Sequence, residues 1–156
     1  MKLYHSSNVA VPNPDVVHSR DNLDFGKGFY LTPFFDQAVS YAQRFKRRNQ
    51  EAWINVYEFE FDSSDWKVRE FELYDGHWLD FISKCRAGKD EFSYDMVLGG
   101  IANDKVIRTL DRFFHGELTD EQTLGLLKFE KPNMQYCIRS QAMLDTCLKH
   151  IESRQI

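Results

Sequence analysis

Between Phe25 and Phe45 the chain changes its local character three times. Phe25-Gly26-Lys27-Gly28 is a turn, Phe29 to Thr32 is apolar and aromatic enough for a short strand, and Asp36 to Arg47 carries Ala38, Tyr41, Ala42 and Phe45 at helical spacing. Pro33 stands ahead of that helix, where proline is tolerated. A chain that passes so quickly from turn to strand to helix has strands too short for a doubly wound sheet. It predicts a mixed α+β domain. Tyr41 follows Tyr30 by eleven residues. A helix between them can bring the two phenol rings face to face, and two aromatic faces beside a backbone-lined slot suit a flat ring.

The rest of the chain reads in the same style. Leu3-Tyr4-His5 is a first strand, and Val9 to Asp24, rich in Pro, Asn and Asp, is a loop. Trp53 to Phe61 alternates Tyr57, Phe59 and Phe61 with Glu58 and Glu60, the pattern of a sheet wet on one face. Trp66 to Phe71 is expected to pair with it. Trp78 to Cys85 is helical, Asp95 to Leu98 is a strand running into Gly99-Gly100, and Asp104 to Phe114 is an amphipathic helix stopped at His115-Gly116. Thr119-Asp120-Glu121-Gln122 is a capping box, Met134 to Ile138 a late strand, and Ser140 the cap of a final helix through Leu148. Gly99-Gly100-Ile101-Ala102-Asn103 reads as a strand-to-helix turn with Asn103 as N-cap. Its flanking Asp95 and Asp104 make contact with a ribose or an acceptor the alternative.

The length of 156 residues fits one domain, expected over residues 1–156. A net charge of −4 argues against broad phosphate-driven binding of nucleic acid. The one dense basic run, Lys46-Arg47-Arg48, reads as the solvated end of a helix, where cations suit the dipole. Cys85, Cys137 and Cys147 lack CxxC spacing and read as buried thiols in a reducing cytosol. His18, His77 and His150 lack partners at metal-ligand spacing, so no metal site is expected. No apolar signal region opens the chain and no run approaches membrane-spanning length, so a cytoplasmic protein without membrane contact is expected.

Three stretches far apart in sequence carry polar residues at strand edges: Leu3-Tyr4-His5-Ser6-Ser7, Gly26 to Thr32 with its trailing Tyr41, and Asn133-Met134-Gln135-Tyr136-Cys137-Ile138. Together they resemble the ADP-ribosyltransferase superfamily, in its poly-ADP-ribose-polymerase-like branch. There a first strand carries His followed by Gly-Ser, a Gly-Lys-Gly turn precedes an apolar residue and Tyr, a second Tyr follows eleven residues later, and a last strand carries Glu. His5, Tyr30 and Tyr41 match in order and spacing, and Gln135 falls where the glutamate stands. The chain also looks like an uncharacterised bacterial family called domain of unknown function 3990.

The resemblance implies a single ADP-ribosyltransferase-like α+β domain, with two small packed antiparallel or mixed sheets flanked by helices. It implies NAD as co-substrate and transfer of ADP-ribose to a macromolecular acceptor, protein or nucleic acid. A toxin or defence setting would add a neutralising antitoxin-type protein. His5, Tyr30 and Gln135 take the catalytic positions. His5, Ser6, Gly28, Tyr30 and Tyr41 take the cofactor-binding ones: His5 on a ribose hydroxyl, the Ser6 backbone on the nicotinamide carboxamide, and the two tyrosines around the ring. Several positions depart from the family pattern. Gln135 is neutral, Asn133 stands where arginine-modifying relatives are acidic, Ser6 replaces a glycine, and Ala38 replaces a serine. A non-enzymatic module of the same fold, holding NAD, ADP-ribose or a partner segment, is the alternative these departures keep open.

Overall fold

A computed structural model describes residues 1–100, 104–130 and 132–156. In chain order the elements are β1 (Lys2–Ser7), β2 (Phe29–Leu31), α1 (Phe35–Arg47), β3 (Trp53–Phe59), β4 (Val68–Glu70), α2 (Gly76–Arg86), β5 (Met96–Gly100), α3 (Asp104–Phe114), α4 (Asp120–Leu127), β6 (Met134–Ile138), α5 (Gln141–Cys147) and β7 (Leu148–Gln155). The strands form two sheets, one ordered β1-β3-β7 and the other β2-β6-β5-β4. The mixed α+β architecture expected from the sequence is the one observed. The cap expected at Asn103 lies outside the described residues.

Alternation along the strands sorts the core into layers. Leu3, Tyr57 and Phe59 of the first sheet meet Phe29, Leu31, Met96, Leu98 and Ile138 of the second, with Met143 and Leu144 of α5 packed among them. The outer face of the first sheet, through Ile54 and Val56, packs on Ala38 and Ala42 of α1. Val97 and Cys137 on the outer face of the second pack on Trp78, Phe81 and Ile82 of α2, Val106 and Leu110 of α3, and Leu127 of α4. Each large apolar side chain buried this way contributes about 1.5–3 kcal/mol.

Three sequence expectations need correction. β3 is not wet on one face: Ile54, Asn55, Val56 and Tyr57 are all buried, because β3 is the central strand with α1 on one side and the second sheet on the other. β4 does not pair with β3 but runs parallel to β5, joined to it through α2. The last helix ends at Cys147, and Leu148 begins β7, which pairs antiparallel with β3. A register shift at Val56/Tyr57 slips Ile151 out of the pairing, which breaks the period-two pattern that would have announced the strand.

The Gly26–Gly28 turn is held from below. Arg139, 9% exposed, donates to the Phe25 carbonyl at 2.8 Å, to Asp90 at 2.8 Å and to the Phe92 carbonyl at 3.0 Å. Burial works against its charge, but the Asp90 carboxylate outweighs that and raises its pKa. Gly26 sits at φ +76°, and a Cβ there would run into the Asp90–Arg139 pair. The three cysteines are free and buried. Burial pushes Cys85 up to about 11 and Cys137 up to about 12, so both stay protonated and inert.

A Cβ at Gly28 would lie 2.6 Å from Cys137 Sγ and 2.7 Å from the Ile138 carbonyl. Gly28→Ala is therefore expected to destabilise the fold by about 1–3 kcal/mol, read as a lower urea midpoint at unchanged m-value. A loss under about 0.5 kcal/mol would mean that β2 can back away from β6 without cost.

Candidate functional site

The two sheets touch at one point along their edges. Tyr4 N–H donates to the Thr32 carbonyl at 2.8 Å, and Thr32 N–H returns a bond to Tyr4 at 2.9 Å. Continued antiparallel pairing would next join Ser6 to Tyr30. Instead the Tyr30 carbonyl accepts from His5 Nδ1 at 2.8 Å, and beyond the Tyr4–Thr32 bridge β1 and β2 part.

Residues two apart on a strand turn their N–H and C=O toward the same edge. Tyr4 spends both on Thr32, so the N–H and C=O of Ser6 face the same edge, into the split and away from β3. The Ser6 hydroxyl is used elsewhere, donating to the Ala38 carbonyl at 2.6 Å and tying α1 to β1. What remains is a donor and an acceptor side by side on rigid backbone, the complement of a primary carboxamide.

His5 is held in one orientation. Its ring stacks on Phe29 with centroids 4.2 Å apart. A carbonyl oxygen only accepts, so Nδ1 carries the proton and Nε2 keeps its lone pair. Burial lowers its pKa below the ordinary 6.5 and outweighs the opposing effect of the Tyr30 bond. The side chain is thus neutral at pH 7, with an acceptor atom that has no protein partner among the described residues.

Tyr30 sits differently from a free stacking ring. Its hydroxyl donates to the Gly26 carbonyl at 2.5 Å and accepts from Phe25 N–H at 3.1 Å. The ring packs against the core under α2, and burial keeps the phenol fully protonated. Tyr30 therefore clasps the turn that precedes it. Gly28 is equally committed, with its N–H on Ser19 Oγ at 3.0 Å.

Tyr41 is 41% exposed. Phe35 touches Tyr4 edge-on and the Ala38 carbonyl meets Ser6, so α1 runs alongside β1 in the same direction. Gln37 is hydrogen-bonded to Thr32, which marks the flank of α1 that faces the split. Tyr41 lies on that flank, four residues on, and side chains on a helix lean back toward its N-terminus. No ring contact joins Tyr41 to Tyr30; Tyr41 meets Phe45 edge-on at 6.1 Å and carries the Arg44 guanidinium over its ring at 4.7 Å. Gln135 pairs with Gly99, and alternation places it on the outer face of its sheet with Cys137 and Tyr30. Its carboxamide has no hydrogen-bond partner among the described residues. The structure thus ties His5, Ser6, Tyr30 and α1 together around the split, with Gln135 on the neighbouring face and the two tyrosines apart. A cavity of about 350 Å³ lies elsewhere, behind the Gly26–Lys27 turn, lined by Asp21, Asn22, Cys85, Gly88 and Asp90. It includes none of the five cofactor positions.

Asp95 is spent on structure, its carboxylate accepting from Lys67 N–H at 2.8 Å. Two further residues that matter here are polar side chains set within or directly after an apolar run. Asn55, a polar residue inside an apolar strand, is fully buried opposite His5. It accepts from Val11 N–H at 2.8 Å and so pins the loop after β1. Arg139, a cation directly after apolar Cys137-Ile138, holds the glycine turn.

The His5 environment sets a pH dependence. The folded pKa lies below 6.5, so on acidification the unfolded chain takes the proton first. The stabilising contribution is complete above about pH 6.5 and is lost as pH falls through the folded value. Thermal melts between about pH 7.5 and 5 are expected to show His5→Gln less acid-sensitive than the parent. Equal acid sensitivity would mean that the imidazole is not the responsible group.

Among the described residues no helix is long and apolar enough to cross a membrane. No curated protein and no solved structure matches the chain. A family described as protein of unknown function, DUF3990, matches it over residues 1–150, and the chain belongs to that family.

Proposed function

We propose that this protein binds NAD at the split between β1 and β2 and transfers its ADP-ribose to a macromolecule. The observation that carries the reading is the Ser6 backbone pair, left open where the two sheets part beside a neutral His5. The residues at the split suit the group: Ser6 N–H and C=O match a carboxamide, and His5 Nε2 can accept from a ribose hydroxyl. The exposed Tyr41 phenol offers a face for the nicotinamide ring, a stacking worth about 1 kcal/mol beyond burial. When bound, NAD supplies the bond between nicotinamide and the ribose anomeric carbon, whose cleavage develops oxocarbenium character.

Tyr30 takes a supporting part, fixing the Gly26–Gly28 turn and, through its carbonyl, the His5 ring. Gln135 can orient a hydroxyl and cannot supply negative charge or take a proton. That neutrality favours one alternative, a module of the same fold that holds NAD or ADP-ribose without turnover.

Release of nicotinamide from NAD, with label passing to a macromolecule in lysate, is the expected result. Tyr41→Ala leaves the buried core intact and is expected to weaken NAD binding about five- to tenfold by calorimetry. Gln135→Glu is expected to raise the rate of nicotinamide release at least about tenfold, since a restored charge at a developing cation is worth more than 1.4 kcal/mol. Binding that ignores Tyr41→Ala sinks the pocket. Binding without release, in both the parent and Gln135→Glu, sinks the transferase and leaves the module.

A further inference from the structure

The flank of α1 that faces the split does not end at Tyr41. Gln37, Tyr41 and Arg44 follow at spacings of four and three, and Arg48, just past the last turn, continues the row. The Arg44 guanidinium stacks on the Tyr41 ring at 4.7 Å. Arg47 stands about 80° round the helix from that row, and Lys46 lies on the opposite side of the helix. All four cations are exposed, and none is ion-paired among the described residues. The helix itself contributes one carboxylate, Asp36, and nearby Glu51 is taken by Trp53 Nε1 at 3.0 Å. In a chain whose net charge is −4, Arg44, Arg47 and Arg48 give the C-terminal end of α1 a segregated basic flank. One exposed ring, Tyr41 at 41%, stands within that row, and a second, Phe34 at 50%, stands at the N-terminal end of the helix, about 15–20 Å from the cations.

We infer that this face of α1 docks a single-stranded nucleic acid and presents it to the split. The inference rests on the transferase reading only for what happens after docking. Unpaired cations in a row match a phosphate backbone. The exposed Tyr41 ring among them, and Phe34 at the far end of the helix, match unstacked bases, which a single strand offers and a duplex hides. The acidic remainder of the surface repels a polyanion and restricts it to this side. An acidic peptide would satisfy the cations and leave the rings unused, so it is the competitor in the test.

The test is fluorescence anisotropy on the full chain, without NAD, using a labelled mixed-sequence single-stranded DNA and RNA of about twelve nucleotides, sized to the range one small domain covers. Controls are the matching DNA duplex and a glutamate-rich peptide. Expected is binding of at least one single strand about tenfold tighter than duplex or peptide, with log K falling against log salt at a slope of about −2 to −3, as for three or four phosphates. Arg44→Gln/Arg47→Gln/Arg48→Gln is expected to weaken that binding about tenfold and flatten the slope. Phe34→Ala is expected to weaken it with the slope unchanged. Circular dichroism verifies that each variant keeps its helix. Equal binding of duplex or peptide, or binding indifferent to the triple variant, overturns the inference. Nicotinamide release is measured separately: single-strand binding without any release removes the transferase and leaves the docking face. Release stimulated by the peptide and not by the oligonucleotides removes the docking face and leaves the transferase.

Discussion

The structure depends on where the two sheets stop being one. Two backbone bonds between Tyr4 and Thr32 join their edges, and one residue further the imidazole of His5 occupies the carbonyl that would have continued the ladder. A single such bond is worth only about 0.5–1.5 kcal/mol net, too little to hold two strands apart unaided. The separation is maintained from the other side. β2 is drawn onto β6 by Gly28, whose missing side chain allows contact with Cys137 and Ile138. It is anchored further by Arg139, which holds the turn in front of it. Backbone pairing with β6 over Phe29–Leu31 completes the hold.

That division of labour explains how a small domain exposes polar backbone at its centre. An unpaired N–H and C=O on a strand edge is ordinarily an aggregation hazard or an unsatisfied cost. At Ser6 the exposure is confined to a short stretch between two sheets, shielded by α1 through the Ser6–Ala38 bond. The edge is too short to template another strand. The reactive-looking groups nearby are kept quiet by burial: Cys137 stays a thiol and Tyr30 a neutral phenol.

Much of the fold was legible because local signals agreed with tertiary use. α3 and β6 begin and end where their periodicity says they should, and the Thr119–Gln122 capping box forms as written. β7 was not legible, because one slipped residue inverts its alternation and His150 and Glu152 stand where apolar residues would signal a strand. The partner of β4 was not legible either, since three residues carry no directional information. The candidate site was half readable. His5 and Ser6 announce themselves by position on a strand edge. Tyr30 does not, because a sequence shows an aromatic residue at the right spacing and cannot show its hydroxyl folded back onto Gly26. A ring free to stack on a ligand and a ring that clasps a turn have the same letter.

The charge distribution links the two proposals. On the proposed reading, breaking a bond to an anomeric carbon develops positive charge, and Gln135 answers it with a neutral amide in place of a carboxylate. No carboxylate among the described residues is bonded to His5, Ser6 or Tyr30 to take its place. On the proposed reading, a negatively charged acceptor brings the missing charge with it. A phosphate drawn along Arg48, Arg44 and Tyr41 approaches the split from the one side of the molecule that attracts anions. In a site of reduced dielectric its charge acts more strongly than in water. Such an arrangement makes turnover conditional on the acceptor, because the donor alone lacks the field that favours its cleavage.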